Sequence, residues 1–291
     1  MENKDISSWK FPFTQIRDGL HKSWFKNIGN EELVEKDISL HSEWRIYNIA
    51  KDGVACCALV PNVNIYSYAK NVNIFSACGL SRVFTYGEHA HVSIGRNNAI
   101  VCASGNETSV NIGGDYNFSL IGGCFSDVSI HGNFNITSVT GTGVSVSDFG
   151  RCNSISLYGT DILSSVLGDG GELRAEGSGA RISVLGPHNI IDISGERCAL
   201  SILSDNCAFR IASADTVVLV AEYGCLPEES QESVIHSDIF STDRLNIKTG
   251  TWYMYESGKL HELENPPSYR DYGYTPENKV YKETTILSDG K

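Results

Sequence analysis

Apolar residues recur in pairs at positions i and i+2 along the middle of the chain, and each pair is followed by Gly or Ser. The clearest copies are spaced by multiples of nine residues and begin at Ile155, Leu173, Ile182, Ile191, Leu200 and Phe209. Alternation of this kind is typical of a short strand with one buried face, and Gly or Ser is typical of a corner, often with a positive φ. One nine-residue unit therefore predicts one strand and one corner.

Looser copies of the unit precede the clear ones, with spacings between about eight and eleven residues. They begin at Val63, Val72, Val92, Val110, Phe118, Val128 and Val144. Self-similarity at a fixed short period is the signature of a solenoid, in which each repeat packs on its neighbours. We expect one continuous solenoid from about Asn62 to Glu222.

A second period of 18 residues is superimposed on the first. The segment Ser165–Gly168 has the sequence SVLG, which recurs at Ser183–Gly186 and, as SILS, at Ser201–Ser204. Alternate units therefore lie in different surroundings. The predicted fold is all-β: a right-handed parallel β-solenoid of two sheets, whose 18-residue coils each contain two nine-residue units.

The four Trp residues all lie outside the repeat, where an open solenoid end needs a cover over its unpaired strand edges. The predicted segments are an N-terminal cap over 1–58, the β-solenoid over 59–225, a C-terminal cap over 226–264 and an extended or flexible tail over 265–291. In the first cap we expect a helix around 15–25 and another over 31–36. In the second we expect a β-hairpin that turns at Glu256–Lys259.

The period, the two-strand coil and the Gly corner resemble the calcium-binding nonapeptide β-roll, and the resemblance concerns geometry. That family places an Asp at each corner, whereas the corners from Gly159 to Arg197 hold varied residues. Calcium needs six to eight oxygen ligands, about as many as aligned carboxylates supply. We expect no calcium, and no other metal or cofactor.

The formal net charge of −12 narrows the class of partner. A surface of that sign repels nucleic acid and anionic lipid, so we expect neither as a partner, and it favours a basic protein or simply keeps the chain soluble. The nine cysteines are odd in number and contain no Cys-x-x-Cys spacing. Reduced core thiols in a cytoplasmic protein are the expected state.

Two groups of titratable residues are candidates for chemistry. His89 and His91 lie close to Glu88 and would suit proton transfer or metal binding, although a solvated loop explains them as well. Asp169 and two nearby glutamates would suit glycoside hydrolysis, although acidic corners are expected on an acidic chain. We predict no catalytic residue, and the sequence leans away from an enzyme.

The strongest candidate for an interaction site is a row of three leucines, Leu167, Leu185 and Leu203, at the same place in successive coils. Alternation from the inward residue before each one points the leucine outward, which would form an apolar stripe for a protein partner. The alternative is that each leucine, lying just before a corner, rotates inward and widens the core.

The leading functional hypothesis is a non-catalytic protein-binding scaffold, such as a cytosolic bacterial inhibitor or immunity protein that neutralises a basic toxin. One alternative is a carbohydrate-active or carbohydrate-binding β-solenoid, which would need carboxylates and aromatic residues to converge on one sheet. The other is a structural component of a fibre or tail assembly.

Overall fold

The computed structural model describes residues 31–43, 45–225, 232–242, 247–266 and 281–286, and every regular element in them is a strand. The strands are β1 (Glu31–Val34), β2 (Ile38–Leu40), β3 (Ile46–Ile49), β4 (Ala55–Ala58), β5 (Asn64–Ser67), β6 (Asn73–Ser76), β7 (Arg82–Thr85), β8 (His91–Ile94), β9 (Ile100–Ala103), β10 (Ser109–Ile112), β11 (Phe118–Gly122), β12 (Asp127–Ile130), β13 (Ile136–Thr142), β14 (Ser145–Asp148), β15 (Ser154–Thr160), β16 (Leu163–Val166), β17 (Glu172–Ser178), β18 (Arg181–Val184), β19 (Ile190–Ile193), β20 (Ala199–Ile202), β21 (Ala208–Ile211), β22 (Val217–Cys225), β23 (Glu232–Ser241), β24 (Trp252–Glu256), β25 (Lys259–Leu263) and β26 (Tyr281–Ile286).

The strands form two sheets. Sheet A has 14 strands in the order β1, β3 and onward through the odd numbers to β21, followed by β24, β25 and β26. Sheet B has 12 strands in the order β2, β4 and onward through the even numbers to β22, followed by β23. Pairing is parallel from β1 to β22, so the chain winds through about ten coils. The predicted all-β parallel β-solenoid is confirmed, and its right-handed winding stays a prediction.

Successive strands of one sheet pair with an offset of 18 residues, as Ser109 does with Asp127 and Ile100 with Phe118. Side chains alternate between the core and the solvent along each strand. The inward positions hold mostly β-branched residues that are almost fully buried, among them Ile65, Ile94, Val101, Ile130, Leu157, Val184, Ile191 and Ile202. A constant offset keeps each column of outward side chains in line along the whole rod.

The corners repeat as regularly as the strands do. Every ninth residue from Gly53 to Asp215 has a positive φ, although most of these residues are not glycine. The glycines that the sequence marked as corners have two roles. Gly159 and Gly177 have φ values of 144° and 133°, but Gly186 has no such angle. What excludes a side chain at Gly186 is close approach, because an added Cβ would overlap the carbonyl oxygen of Gly168.

Buried asparagines fix the corners that lead from a sheet B strand to the next sheet A strand, here called B-to-A corners. Asn117 Oδ1 accepts from the backbone N–H of Ala99 at 2.7 Å, and Asn135 Oδ1 accepts from that of Asn117 at 2.8 Å. Asn153 Oδ1 continues the ladder to the N–H of Asn135 at 2.7 Å. Each coil is therefore bonded to the next at its corner as well as along its strands.

The N-terminal part of the solenoid differs from the expectation. Parallel pairing already begins at β1, inside the segment 1–58 assigned to a cap. The helix expected over 31–36 is wrong, since Glu31–Val34 is a strand that pairs with β3. The helix expected around 15–25 lies outside the described residues.

Antiparallel strands close the other end. β22 pairs with β23, and β24 pairs with β25 through a two-residue turn at Ser257 and Gly258, whose φ values are 53° and 70°. The Glu222 carboxylate accepts from both turn N–H groups, at 2.6 and 2.9 Å, and so fastens this hairpin to β22. β26, within the predicted tail, pairs antiparallel with β25.

Candidate functional site

The three predicted leucines follow directly after β16, β18 and β20, and their backbones continue the pairing of sheet B. The N–H of Leu185 donates to the carbonyl of Val166, and that of Leu203 to the carbonyl of Val184, both at 2.8 Å. Leu167 and Leu185 are 42% and 45% exposed, and Leu203 is half-buried. The row therefore faces outward at the B-to-A corners, and the alternative of inward rotation does not apply to Leu167 and Leu185.

The row continues two coils toward the N terminus, at residues that the sequence analysis did not select. Phe149 occupies the place of the leucine in the preceding coil and is 47% exposed, and His131 occupies it one coil earlier. The two rings stack with their centroids 4.8 Å apart. Ser129 Oγ lies 2.8 Å from His131 Nε2 and holds the imidazole on the sheet B side of the corner.

A second aromatic stack stands at the tips of the same corners. Tyr116 and Phe134 have centroids 5.1 Å apart and are nearly parallel. Both residues have positive φ, at 56° and 55°, a conformation that is uncommon for bulky side chains. Backbone strain of this kind is often found at functional sites. We call the whole set of outward residues the corner ridge, which consists of Tyr116, His131, Phe134, Phe149, Leu167, Leu185 and Leu203.

The corner ridge runs through six successive coils, which corresponds to a length of roughly 24 Å at a strand spacing of about 4.8 Å. Its border is more acidic than basic. The residue that follows each corner glycine, or its equivalent, is an aspartate at Asp115, Asp169 and Asp205, and an arginine at Arg151. The ridge thus combines a line of apolar side chains with a negative margin.

The outward face of sheet B lies beside the corner ridge and forms two shallow grooves. Five serines, Ser129, Ser147, Ser165, Ser183 and Ser201, occupy one column of this face. The groove at the C-terminal end encloses about 520 Å³, between walls that include Leu163 and Arg181. The second groove, nearer the N terminus, encloses about 590 Å³. We call the second one the polar groove and define it by Asn73, Phe75, His91, Ser93, Ser109 and Asn111.

The outward face of sheet A is divided along its length. Its N-terminal half carries two stacked aromatic pairs, Tyr66 with Phe84 at 4.9 Å and Tyr68 with Tyr86 at 5.1 Å. Burial beneath this cluster raises the pKa of Tyr86. The C-terminal half carries ion pairs instead. Arg210 Nε donates to Asp192 Oδ1 at 3.0 Å, and the same guanidinium lies 4.9 Å from the ring centroid of Trp252.

The histidines that were considered for chemistry are not brought together. His89 is a corner residue with a φ of 55° and lies 3.1 Å from the Glu107 carboxylate. His91 lies on the outward face of sheet B, and Glu88 forms an ion pair with Lys70 at 2.7 Å. Each of these residues thus belongs to a different local contact.

The three carboxylates also diverge. Asp169 lies at a B-to-A corner, 3.0 Å from His188 Nδ1, whereas Glu172 and Glu176 lie on β17. Four residues of strand separate these two glutamates by roughly 13 Å, which exceeds the 5–9.5 Å found in glycosidases. Glu176 is paired with Arg174 at 2.7 Å. This arrangement does not match a glycoside-cleaving pair.

Eight cysteines are free thiols in the part of the chain that the structure describes. Burial raises the pKa of Cys56 and that of Cys207 to about 12. The same residues contain no group of three or more His, Cys, Asp or Glu side chains arranged to hold a metal ion. Within the described ranges, no helix has the length and apolar character needed to cross a membrane.

Comparisons of the chain with protein-family models, with curated proteins and with solved structures find no match. The corner ridge and the two grooves therefore stand on geometry and chemistry alone.

Proposed function

We propose that this chain is a non-catalytic protein-binding scaffold and that the corner ridge is its contact surface. The observation that carries the proposal is the alignment of seven outward apolar or aromatic side chains along one edge of a rigid rod. A contiguous exposed apolar surface with a polar border is the usual anatomy of a protein interface. Stacked rings and leucines at its centre are the kind of side chain that supplies most of the binding energy.

The proposed partner is a basic protein. Three aspartates border the corner ridge against one arginine, and the chain as a whole carries a net charge of −12. Charges of this sign around an apolar centre accelerate association with a positive surface and disfavour a negative one. Within this class we favour an inhibitor or immunity protein that neutralises a basic toxin. A cytoplasmic location suits the free thiols.

The test replaces Leu167, Leu185 and Leu203 together by Asp. We expect capture of a basic protein from the native host lysate by the parent chain, and at least a tenfold, or roughly 1.4 kcal/mol, weaker dissociation constant for the purified pair with the variant. The substitutions insert carboxylates into the centre of the apolar contact. Circular dichroism and calorimetry measure the fold and the affinity.

A matched control carries the same three charges on the outward face of sheet A, as Tyr68→Asp, Phe118→Asp and Ile136→Asp. These side chains are 44%, 40% and 53% exposed, comparable to the leucines. The proposal requires the control to retain the parent affinity. Equal affinities of the parent and the leucine variant would show that the corner ridge is not the contact surface.

A further inference from the structure

The polar groove combines a concave sheet surface with hydrogen-bonding side chains that have no partner. Asn73, His91 and Asn111 are exposed, and Ser93 and Ser109 are half-buried. Within the described part of the chain, none of these five side chains hydrogen-bonds to another residue, although the backbones beneath them are fully paired in sheet B. The face therefore offers donors and acceptors that the fold itself does not use.

The charges around the polar groove select against an ionic ligand. No Lys or Arg lies among the described residues that line it, so an anionic polymer would find no counter-charge on an already acidic protein. The lining contains a single carboxylate, Asp37, and its Oδ1 already accepts from the N–H of Ala55 at 2.8 Å. A neutral ligand rich in hydroxyl groups matches this surface, because each hydroxyl both donates and accepts.

One aromatic ring completes the polar groove. Phe75 is 44% exposed, and its neighbours in the same column are Cys57 and Ser93, which are small. No other described aromatic ring covers it, in contrast to the stacked pairs on sheet A. An exposed ring between hydrogen-bonding side chains is suited to the C–H surface of a sugar.

The spacing of the side chains favours a polymer. Equivalent residues of successive coils, such as Asn73 and His91, are about 4.8 Å apart along the rod. This distance is close to the length of one residue in an extended β-1,4-linked hexose chain. We infer that the polar groove binds a linear, neutral, β-1,4-linked polysaccharide that lies along the solenoid axis, with successive sugars over successive coils.

The test uses cellohexaose and chitohexaose as probes, with cellobiose, maltohexaose and polygalacturonate for comparison. The ligand is expected to be one of the two β-1,4-linked hexamers, bound at least about tenfold more tightly than cellobiose, which contacts fewer coils, and than maltohexaose, which is curved. Polygalacturonate is expected not to bind, because its carboxylates meet no cation. Isothermal titration calorimetry and affinity electrophoresis supply the dissociation constants.

Two variants assign the binding to the polar groove. Asn73→Ala with Asn111→Ala, and separately Phe75→Ala, are each expected to weaken hexamer binding at least about tenfold. The control is Asn64→Ala with Ser156→Ala on the outward face of sheet A, which is expected to leave binding unchanged. All three are exposed-site changes, and their melting temperatures are checked against the parent.

Failure of both hexamers to bind at millimolar concentration would overturn the inference, and so would parent affinity in both groove variants. Tighter binding of polygalacturonate than of either hexamer would also contradict it, because the charge argument would then be wrong. These results are independent of the proposed function, since the corner ridge residues are intact in all three variants.

Discussion

Gly105→Ala is expected to destabilise the solenoid by roughly 3 kcal/mol. Seven glycines stack in one column at the corners that lead from sheet A to sheet B, at Gly87, Gly105, Gly123, Gly141, Gly159, Gly177 and Gly195. A Cβ on Gly105 would overlap the backbone carbonyl of Gly87 in the preceding coil. Relief of this overlap requires two coils to move apart, because the obstacle is main chain. Urea unfolding followed by circular dichroism measures the loss.

Gly95→Ala is the matched control. Gly95 follows the strand β8 in the same part of the solenoid, and a Cβ there would have its nearest contact at an ordinary 3.6 Å, to the carbonyl oxygen of Ser76. Neither Gly95 nor Gly105 has a positive φ, so the two substitutions differ in steric overlap and not in backbone conformation. Similar unfolding midpoints for the two variants would contradict the assignment of the Gly105 column to close packing.

Asp148→Asn is expected to stabilise the protein at neutral pH by roughly 3 kcal/mol. Asp148 points into the core between Ile130 and Val166 of the neighbouring strands. Burial raises the pKa of this carboxyl from 3.8 to about 6, although Gly150 N–H at 3.0 Å and Asn153 Nδ2 at 2.6 Å both donate to Oδ1. Asn keeps an oxygen acceptor for these donors and removes the cost of burying a charge.

The sign of the effect gives a pH window. Because the folded pKa of Asp148 is raised, the unfolded chain ionises first, so the free energy of unfolding falls as the pH rises from about 4 to about 6 and is then constant. The difference between the variant and the parent should therefore be small below pH 4 and maximal above pH 6. Asp127→Asn, on the outward face of β12, is the control and should leave the curve within about 0.5 kcal/mol. A difference for Asp148→Asn that does not change with pH would contradict a buried, protonated carboxyl.

The strands were predictable because apolar residues at i and i+2 recur wherever one face of a short strand is buried. From Ile155 to Phe209 this alternation and the nine-residue step identify every strand that faces the core. The first coils escaped detection because their inward residues are less regular, as in Ala55–Ala58. The segment 31–36 has the charge pattern of a helix, but pairing with β3 overrides that local preference.

The corner conformations were less predictable from residue type. Leu80, Glu107 and Tyr116 all have positive φ, a conformation that their own preferences disfavour, because the tight passage between the two sheets requires it every nine residues. Residue type alone therefore gives no signal at these positions.

The corner ridge was half-visible in the sequence. The leucines were found because the same residue recurs every 18 positions before a Gly or Ser. Phe149 and His131 obey the same rule, as each precedes a glycine at the same interval, but the change of residue type concealed them. Tyr116 and Phe134 became visible as part of the surface through the geometry of the corner.

The constant offset of 18 residues has a consequence for how such a chain can change in length. An insertion or deletion of 18 residues adds or removes one complete coil, so the cross-section is kept and each surface column becomes one residue longer or shorter. A change of nine residues instead transfers every later strand to the opposite sheet and places its outward residues on the wrong side of the rod. Length in this architecture is thus inherited in whole coils, and gain of a coil extends the existing surfaces without redesign.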